Sequence, residues 1–452
     1  MISVTVKNNL VVEGALPADL EHFLVRTLRA PNPAYVSSLR FGRKNPRIPR
    51  SLSFFRRKGD RWTFPRGFTG RLLALLTQQG LAYSLSDHTR KLPDADFRFT
   101  GTLSPHQEEA CRNILKKRFS VLELPTGAGK TVVALSLIAA RRQPCCIVVH
   151  TRELVTQWME RAEQFLGLSR DRMGMVGAGR CETGRPLTVA LVNSLYSRAA
   201  EISKTTGFLV VDECHRVPAR TFTHAVKGFD SHFMLGLSAT PFRRDGLSAI
   251  INFYVGECAH RQTAAELQSC GNLARARLLV RETTFDYDFD QDYPAMMASL
   301  CADPERNQMI ASDVADFAGQ GQGPALVVSD RREHCRDLHA RITGLGVSAA
   351  LLTGDLPPEE RERAIAAVNG KTAQVLVATL QLIGEGFDCR ELSGLFLTTP
   401  VKFSGRVLQV VGRVLRASDG KRFALIYDYL DRPGVLAASF ASRRRAYRKL
   451  GI

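Results

Sequence analysis

Short apolar runs that alternate with helix-like segments are the feature of this chain that most constrains its fold. One set of runs lies at 121–124, 146–149, 187–192, 208–211 and 233–237, and a second set lies at 325–328, 347–352, 375–378, 395–397 and 423–426. Helix-like segments such as TRELVTQW and PPEERERAIAAV stand between the runs. This βαβ rhythm predicts parallel sheets, and its two occurrences predict two α/β domains in tandem.

The rhythm also indicates where the domains begin and end. It starts near residue 103 and lapses between residues 259 and 303. We therefore predict a small α+β domain at 1–100, a first α/β domain at 101–260, a linker at 261–302 and a second α/β domain at 303–452. The segment RARLLVRETTFDYDFD, inside the linker, is typical of a strand pair or of an extended connection.

The charge of the chain is strongly basic and unevenly distributed. A net charge of +18 favours a polyanionic partner over a neutral small substrate. Residues 1–100 carry 17 Lys or Arg against 7 Asp or Glu. Most of these cations lie in residues 40–71, called the basic segment below. The amino-terminal domain is therefore predicted to bind nucleic acid.

Aromatic residues alternate with the cations of the basic segment. This composition is typical of surfaces that bind a phosphate backbone and stack on bases, and its prolines favour loops or edge strands. The predicted contact residues include Arg40, Arg43, Lys44, Arg56 and Arg57. The alternative is that the aromatics form a small core and the arginines a solvated rim, and Phe54 and Phe55 individually favour the core. A second basic cluster comprises residues 443–445, 448 and 449. It could contact DNA, or it could interact favourably with the dipole at the end of the last helix.

Several classes of protein are disfavoured by simpler features. The start, MISVTVKNNLVVEG, lacks a basic leader followed by an apolar core, and no run of about 18 apolar residues occurs. The ten cysteines include no C-x-x-C pair, so neither a zinc site nor a disulfide framework is indicated. We predict a cytoplasmic protein with reduced thiols and no membrane partner.

The segment LELPTGAGKTVVAL, residues 122–135, is typical of a strand, a glycine-rich loop and a helix. Gly127 and Gly129 allow backbone N–H groups to close around phosphates at a helix start. Lys130 is predicted to reach the β and γ phosphates of ATP, and Thr131 to place its hydroxyl on Mg²⁺. Leu124 stands where the strict consensus has its first glycine. The predicted phosphate site comprises Pro125, Thr126, Gly127, Ala128, Gly129, Lys130 and Thr131.

A pair of acids directly follows the apolar run FLVV, residues 208–211. Such a run predicts a strand buried on both faces of a parallel sheet, and ligands bind at the carboxyl ends of these strands. Acids also occur there as plain loop or cap residues, so the glycine loop is what gives the pair a function. Asp212 is predicted to hold Mg²⁺, and Glu213 to orient and deprotonate the attacking water.

A basic helix face in the second α/β domain is predicted to complete this site. In QVVGRVLR, Gln409, Arg413 and Arg416 recur at spacings of four and three residues, so they share one face. Hydrolysis of the γ phosphate needs positive charge in its transition state, often from arginine. These residues can supply it only if the two α/β domains come together; otherwise the face is simply solvated.

Taken with their order, these motifs resemble those of the superfamily 2 helicases and translocases over residues 102–430. LSPHQEEA resembles the segment whose glutamine, here Gln107, reads adenine. PTGAGKT, TRELVTQW, DECH and SATP are similar to motifs I, Ia, II and III, and VATLQLIGEGFDC and QVVGRVLR to motifs V and VI. The resemblance implies two RecA-like domains that bind ATP between them, with a nucleic-acid strand across both.

Further residue roles follow from the resemblance alone. His215, Ser238 and Thr240 would couple hydrolysis to domain movement, although they also suit capping and loop positions. Gly386 and Asp388 would link the ATP site to the bound strand. The implied contacts with the strand phosphates are Thr151, Arg152 and Thr379.

Details of the motifs favour DNA over RNA. Cys214 and His215 stand where the RNA-unwinding DEAD-box branch usually has Ala-Asp, and Gln409 opens motif VI in place of histidine. GEGFD and SATPFRRDG look more like the repair helicases related to xeroderma pigmentosum group B, and equally like phage branch-migration helicases. In the repair helicases an Arg-Glu-Asp signature follows motif III, and this chain has Arg243-Arg244-Asp245 nearby, so that element is altered.

The sequence therefore supports one main hypothesis and three rivals. The main hypothesis is an ATP-dependent helicase or branch-migrating translocase acting on forked, branched or duplex DNA. The rivals are an RNA helicase, a nucleic-acid-binding module with a vestigial ATPase, and a translocating subunit that serves a nuclease on another chain. The retained Lys130, Asp212, Glu213, Arg413 and Arg416 argue against a vestigial site.

Overall fold

The computed structural model describes most of the chain in two compact units. The described residues are 1–40, 47–215, 219–239, 247–384, 389, 391–401, 410–415, 421 and 423–452. The first unit comprises Met1–Leu124 and Gly129–Arg261, and the second comprises Pro125–Ala128 and Gln262–Ile452. The division at Arg261 lies next to the predicted boundary at residue 260.

The amino-terminal part of the first unit is a five-stranded sheet with helices packed on it. Its elements are β1 (Ile2–Val6), β2 (Asn9–Glu13), α1 (Ala18–Thr27), β3 (Arg29–Pro31), α2 (Pro33–Arg40), β4 (Ser51–Ser53), β5 (Arg56–Lys58), β6 (Arg61–Pro65), α3 (Thr69–Gln78) and β7 (Tyr83–Asp87). The strand order is β5-β6-β2-β1-β7, with only the β1–β7 pair parallel, while β3 and β4 form a separate two-stranded antiparallel sheet. Alternate residues of β1, β2 and β6 are buried, as expected for a sheet with one covered face.

The aromatics of the basic segment belong to the core of this sheet. Trp62, Phe64 and Phe68 are buried, and Phe54 and Phe55 pack against them. The composition suggested that these rings stack on bases. Their burial instead agrees with the alternative interpretation, in which they form a small aromatic core. The reason is the strand register of β6, which turns every second residue inward.

This core continues into the first parallel sheet. The Phe68 and Phe253 rings meet edge to face at 6.2 Å between centroids. Arg66 is buried, donates to the Ser231 carbonyl at 3.0 Å, and lies over the Phe119 ring. Burial lowers the pKa of Arg66 to about 9. Arg66 is thus a buried packing residue of the basic segment.

The rest of the first unit is an eight-stranded sheet flanked by helices. Its elements are α4 (Pro105–Leu115), β8 (Phe119–Glu123), α5 (Lys130–Arg141), β9 (Cys145–Val149), α6 (Arg152–Leu166), β10 (Met173–Gly177), β11 (Arg180–Cys181), β12 (Leu187–Leu191), α7 (Val192–Ser203), β13 (Phe208–Val211), α8 (Ala219–Lys227), β14 (Phe233–Ser238), α9 (Ala249–Tyr254) and β15 (Cys258–Arg261). The strand order is β11-β10-β12-β9-β13-β14-β8-β15, and all pairs except β10–β11 are parallel. Each of the five apolar runs predicted for this domain forms a strand.

The second unit contains a six-stranded sheet that is parallel throughout. Its elements are α10 (Ala264–Ser269), β16 (Arg275–Glu282), α11 (Tyr293–Ala302), α12 (Pro304–Gly319), β17 (Ala325–Ser329), α13 (Arg332–Gly344), β18 (Ala349–Leu352), α14 (Pro358–Asn369), β19 (Val375–Thr379), α15 (Leu380–Gly384), β20 (Gly394–Leu397), β21 (Phe423–Leu430) and α16 (Gly434–Lys449). The strand order is β16-β21-β20-β17-β19-β18. Strand β16 lies inside the predicted linker, so that segment contributes an edge strand to this sheet.

The last helix is fixed to β21 by buried charge. Arg443 donates two hydrogen bonds of 2.8 Å to the Asp428 carboxylate, and the Tyr447 hydroxyl donates a third at 2.6 Å. The arginine side chain is 3% exposed and the aspartate 0%. Within the second basic cluster, Arg443 is therefore a structural residue, whereas Arg444, Arg445 and Arg448 are exposed on the same helix.

Two further expectations concern the thiols and the membrane. All ten cysteines lie within the described residues, and none of them forms a disulfide. Within the described ranges, none of the helices combines the length and the apolar character needed to cross a bilayer.

Arg443→Met should lower the free energy of unfolding by about 3–5 kcal/mol, because it leaves the Asp428 carboxylate buried without its cation. Urea denaturation followed by circular dichroism measures this change. Arg445→Met, at an exposed position of the same helix, is the matched control and should unfold like the parent chain. Equal midpoints for the two variants would show that the buried pair does not stabilise the fold.

Candidate functional site

Parallel pairing brings three functional segments to one edge of the first unit's sheet. Ser238 pairs with Glu123 at the end of β14 and β8, and the Leu124 N–H donates to the Ser238 carbonyl at 3.1 Å. The Asp212 N–H donates to the Val148 carbonyl at 2.9 Å, just beyond the end of β13. The glycine loop, the acid pair and the SATP segment therefore start at the same edge, as the strand prediction required.

The loop before α5 has the backbone that its glycines allow. Gly127 and Gly129 have φ values of 91° and 84°, in the region that favours glycine. A Cβ atom on Gly129 would lie 2.2 Å from the Gln107 side-chain nitrogen, so this glycine also makes room for the glutamine. Gln107 accepts from the Ser104 N–H at 3.0 Å in a capping box of α4. The sequence-predicted adenine reader and the phosphate loop are thus neighbours.

Asp212 is held by one donor on each of its carboxylate oxygens. The Trp158 indole N–H donates to Oδ2 at 2.8 Å, and the Glu213 backbone N–H donates to Oδ1 at 2.8 Å. Burial, followed by the charge of Glu213, raises the pKa of Asp212 to about 6, while Trp158 and the Lys130 ammonium act in the opposite direction. The charge of Lys130 therefore acts on Asp212, as expected for one site.

Glu213 is aimed by an unusual backbone conformation. Its φ is 44°, a left-handed value that is costly for a side chain with a Cβ atom. The His215 Nδ1 atom lies 3.3 Å from a Glu213 carboxylate oxygen and 3.0 Å from the Ser238 hydroxyl. The structure thus joins three predicted residues, the acid of DECH, its histidine and the serine of SATP.

The donor set fits a hard divalent cation. Mg²⁺ takes oxygen ligands and commonly binds through one or two carboxylates, with waters and phosphate oxygens in its other positions. Asp212 is a buried carboxylate, and burial raises its pKa to about 6. Thr131 lies in the first turn of α5, which starts at the same sheet edge. Across the described ranges, no cluster of three or more His, Cys, Asp or Glu suits a metal, so any ion here rests on few protein ligands.

Several predicted site residues cannot be placed with these. Arg413, in the second unit, is buried. Thr379 ends β19 and is also buried. Gln409, Arg416, Thr240, Gly386, Asp388, Arg43 and Lys44 lie outside the described residues. Their roles stay predictions.

One of the two predicted strand contacts at the start of α6, Arg152, borders a basic cavity. Thr151 caps α6, and Arg152 is exposed at its first position. Arg152 lines a cavity of about 780 Å³ between α6 and the β10–β11 hairpin. Arg170, Arg180 and Arg185 also line it, against Asp171 and Glu182, over a floor that includes Met159, Met173 and Met175. The arginines of this hairpin region were missed because they belong to no motif.

The predicted contacts on the amino-terminal sheet differ from one another. Arg57 forms an ion pair with Glu21 at 2.8 Å and lies 4.5 Å over the Trp62 ring, so its charge already has partners. Arg56 pairs with Thr63 in the register and so lies on the opposite face of the sheet, where it is exposed. Arg40 ends α2. Contact with nucleic acid stays a prediction for all three.

Two sequence families match this chain. Residues 100–243 match the family described as "Type III restriction enzyme, res subunit". Residues 309–418 match "Helicase conserved C-terminal domain". Together the two families account for more than half of the chain, in the order that the motifs predicted.

Individual relatives and a solved structure agree with the families. The "DNA 3'-5' translocase XPB2" of Sulfurisphaera tokodaii is 36% identical over 165 residues, which cover 36% of this chain and 37% of the relative. The "ATP-dependent DNA helicase uvsW" of Enterobacteria phage T4 is 23% identical over 76% of this chain and 72% of its own. A solved fragment of an HsdR subunit of a type I restriction enzyme from Vibrio vulnificus superposes with a TM-score of 0.58 and 18% identity, covering 76% of this chain and 66% of that one. This last likeness concerns the fold.

Glu213→Gln should allow divalent metal to bind at lower pH than in the parent chain. The charge of Glu213 raises the pKa of Asp212, so its removal keeps Asp212 ionised further into the acid range. Mn²⁺ affinity between pH 5 and 8, measured by electron paramagnetic resonance with a non-hydrolysable ATP analogue, checks this. Glu182→Gln, at an exposed acid, is the control and should follow the parent profile. Identical profiles for Glu213→Gln and the parent would contradict the electrostatic coupling.

Proposed function

This chain belongs to the superfamily 2 helicases, ATP-dependent enzymes of nucleic acids, and we propose that it uses ATP hydrolysis to translocate on and remodel DNA. The observation that carries the proposal is the meeting of Lys130, Asp212 and Glu213 at one sheet edge. Such a site binds and hydrolyses a nucleoside triphosphate, and the basic cavity on α6 lies on the same unit. A protein that binds the nucleoside triphosphate and the nucleic acid on one unit can make ATP hydrolysis depend on nucleic acid.

The proposed chemistry assigns each residue a separate task. Lys130, at the start of α5, binds the β and γ phosphates, and the loop N–H groups before it bind the remaining oxygens. Thr131 and Asp212 would hold Mg²⁺, which when bound neutralises charge on the phosphate oxygens. Glu213 orients the attacking water and accepts its proton, since its carboxylate lies beside Asp212. Gln107 would bind the adenine beside Gly129.

His215 is proposed to report the state of the γ phosphate. It lies between the Glu213 carboxylate and the Ser238 hydroxyl. A change in the charge or hydration of Glu213 during hydrolysis therefore alters the hydrogen bonds of Ser238, which opens the SATP segment. This chain of contacts supports the coupling role that the motif resemblance implies for His215 and Ser238.

The nucleic-acid strand is proposed to follow the cavity beside α6. The four arginines at its border outnumber the two acids, which suits a polyanion. Arg170 already pairs with Glu163 at 3.2 Å, and Asp171 is under the electrostatic influence of Arg185. Arg152 and Arg180, both exposed, are therefore the cations best able to bind phosphates.

DNA is favoured over RNA as the substrate. The two relatives described above are named as a DNA translocase and a DNA helicase, and Cys214-His215 follows the acid pair where the RNA-unwinding branch differs. Forked, branched and duplex DNA are the proposed forms, in repair, recombination or replication. Phosphate contacts of this kind carry little sequence specificity.

A second candidate is a DNA translocase that serves a nuclease on another chain. The match of residues 100–243 to the res subunit family of restriction enzymes favours it. The two candidates share the motor and differ in whether a partner protein is present. Strand displacement by the purified chain alone would support the helicase and argue against the need for a partner.

Lys130→Ala should reduce ATP hydrolysis by about 100-fold or more, because the phosphates lose their principal cation. In the parent chain, added DNA should raise the ATPase rate, with forks and four-way junctions more effective than single-stranded RNA of equal length. Lys117→Ala, at an exposed position before β8, is the control and should keep parental rates. Parental turnover in Lys130→Ala, or stimulation by RNA above DNA, would count against the proposal.

Joint substitution of Arg152 and Arg180 by alanine should weaken DNA binding. The dependence of log affinity on log salt should also become shallower, by roughly 0.9 for each duplex phosphate that the variant no longer neutralises. Fluorescence anisotropy with a labelled fork between about 50 and about 300 mM salt measures both effects. The pair Lys116→Ala and Lys117→Ala removes two exposed cations elsewhere and should leave the slope unchanged. Equal slopes for both double variants would place the strand away from this cavity.

A further inference from the structure

Trp158 makes a side-chain hydrogen bond to the candidate ATP site from a separate helix. Its indole N–H donates to Asp212 Oδ2 at 2.8 Å, across 54 residues of sequence. The ring is 2% exposed, so water does not replace this donor. A buried carboxylate that binds a metal needs its orientation fixed by such partners, since donors beyond the ligands orient the ligand oxygens.

The donors around Asp212 divide its two oxygens. Oδ1 accepts from the backbone N–H of Glu213, the next residue. This local hydrogen bond does not depend on the packing of another helix. Oδ2 accepts from Trp158, which belongs to another element, α6. Rotation of the carboxylate about its Cβ–Cγ bond breaks both bonds together. The indole therefore restrains the plane in which Asp212 presents its remaining lone pairs.

Helix α6 connects this contact to the proposed strand path. Arg152 opens the helix and borders the basic cavity, and Trp158 follows six residues later, which corresponds to about 9 Å of helix. The helix packs on α5, which starts with Lys130, and on β9 and β12 of the sheet. One rigid element thus carries a proposed phosphate contact at its start and the donor to Asp212 within two turns.

We propose that Trp158 is a positioning residue that holds Asp212 for the metal, and that through it α6 makes ATP hydrolysis respond to the bound strand. The second part of this inference, the response of ATP hydrolysis to the bound strand, rests on the proposed function. Because Trp158 is buried and donates to Asp212, its proposed effect acts through that carboxylate. Its N–H, rather than its bulk, is the required feature.

Trp158→Phe separates these two properties, because phenylalanine keeps an apolar ring and lacks the donor. The Mg²⁺ concentration for half-maximal ATPase activity should rise about 10-fold or more, the usual effect of removing such a partner. The factor by which DNA stimulates kcat should fall, while KM for DNA stays unchanged. Leu166→Ala, which removes buried packing at the other end of α6, is the control and should move neither quantity.

A spectroscopic measurement tests the contact without activity. The chain has two tryptophans, so Trp62→Phe leaves Trp158 as the single emitter. Mn²⁺ with a non-hydrolysable ATP analogue should quench this emission, whereas Mg²⁺ should not, because paramagnetic quenching requires a short distance. Asp212→Asn in the same background should abolish the quenching. If Trp62→Phe does not fold, the difference in emission between the parent chain and Trp158→Phe isolates the same signal.

The outcomes separate the inference from the function. Unchanged Mg²⁺ dependence and unchanged DNA stimulation in Trp158→Phe, with a responsive parent chain, would overturn the inference and leave the proposed function intact. A parent chain that hydrolyses ATP without any response to DNA would overturn the coupling and the function together. Quenching of Trp158 that depends on Asp212 would still support the positioning role in that case. In the Asp212→Asn background, Trp158→Phe should have no further effect on metal affinity.

Discussion

The burial of the Asp212 carboxylate is the constraint on which the first unit's site depends. A charged oxygen pair at the end of an apolar strand is unfavourable unless donors and cations surround it. The chain supplies the Trp158 N–H, the next backbone N–H and the charge of Lys130. Each comes from a different segment, so satisfying this one carboxylate requires β13, α5 and α6 to be correctly assembled. Glu213, whose N–H is one of these donors, itself has a left-handed backbone conformation.

Parallel strands could be predicted wherever they are covered on both faces. The run 208–211 and its neighbours are continuous in apolar residues because helices lie on either side of the sheet. Strands at or next to the sheet edges lack this signal. Edge strand β16 carries several arginines among its apolar residues, and β10, second in its sheet, contains two glycines, so neither resembles a continuous apolar run. The sequence pattern does not contain the neighbours that these strands acquire only when the sheet forms.

The position of the glycine loop and of the acid pair at one sheet edge could be predicted, because each directly follows an apolar run of a parallel sheet. Trp158 was present in the quoted TRELVTQW segment, yet a tryptophan on an amphipathic helix is ordinarily a core residue. Only the tertiary structure shows where its N–H points. The basic segment presented the opposite difficulty, since the same aromatics and arginines suit a surface or a core. Strand register resolved it, turning Trp62 and Phe64 inward and Arg61 outward.

The close approach of Gly67 to the backbone of Gly256 has a consequence for dissecting this protein. A Cβ atom on Gly67 would lie 2.6 Å from the Gly256 nitrogen, and Phe68 fills the space beside Phe253. The amino-terminal sheet and the first parallel sheet consequently share one apolar interior. A truncation at the change in composition near residue 100 would expose that apolar interior to solvent and favour aggregation. The amino-terminal sheet and the first parallel sheet are therefore expected to move as one rigid body.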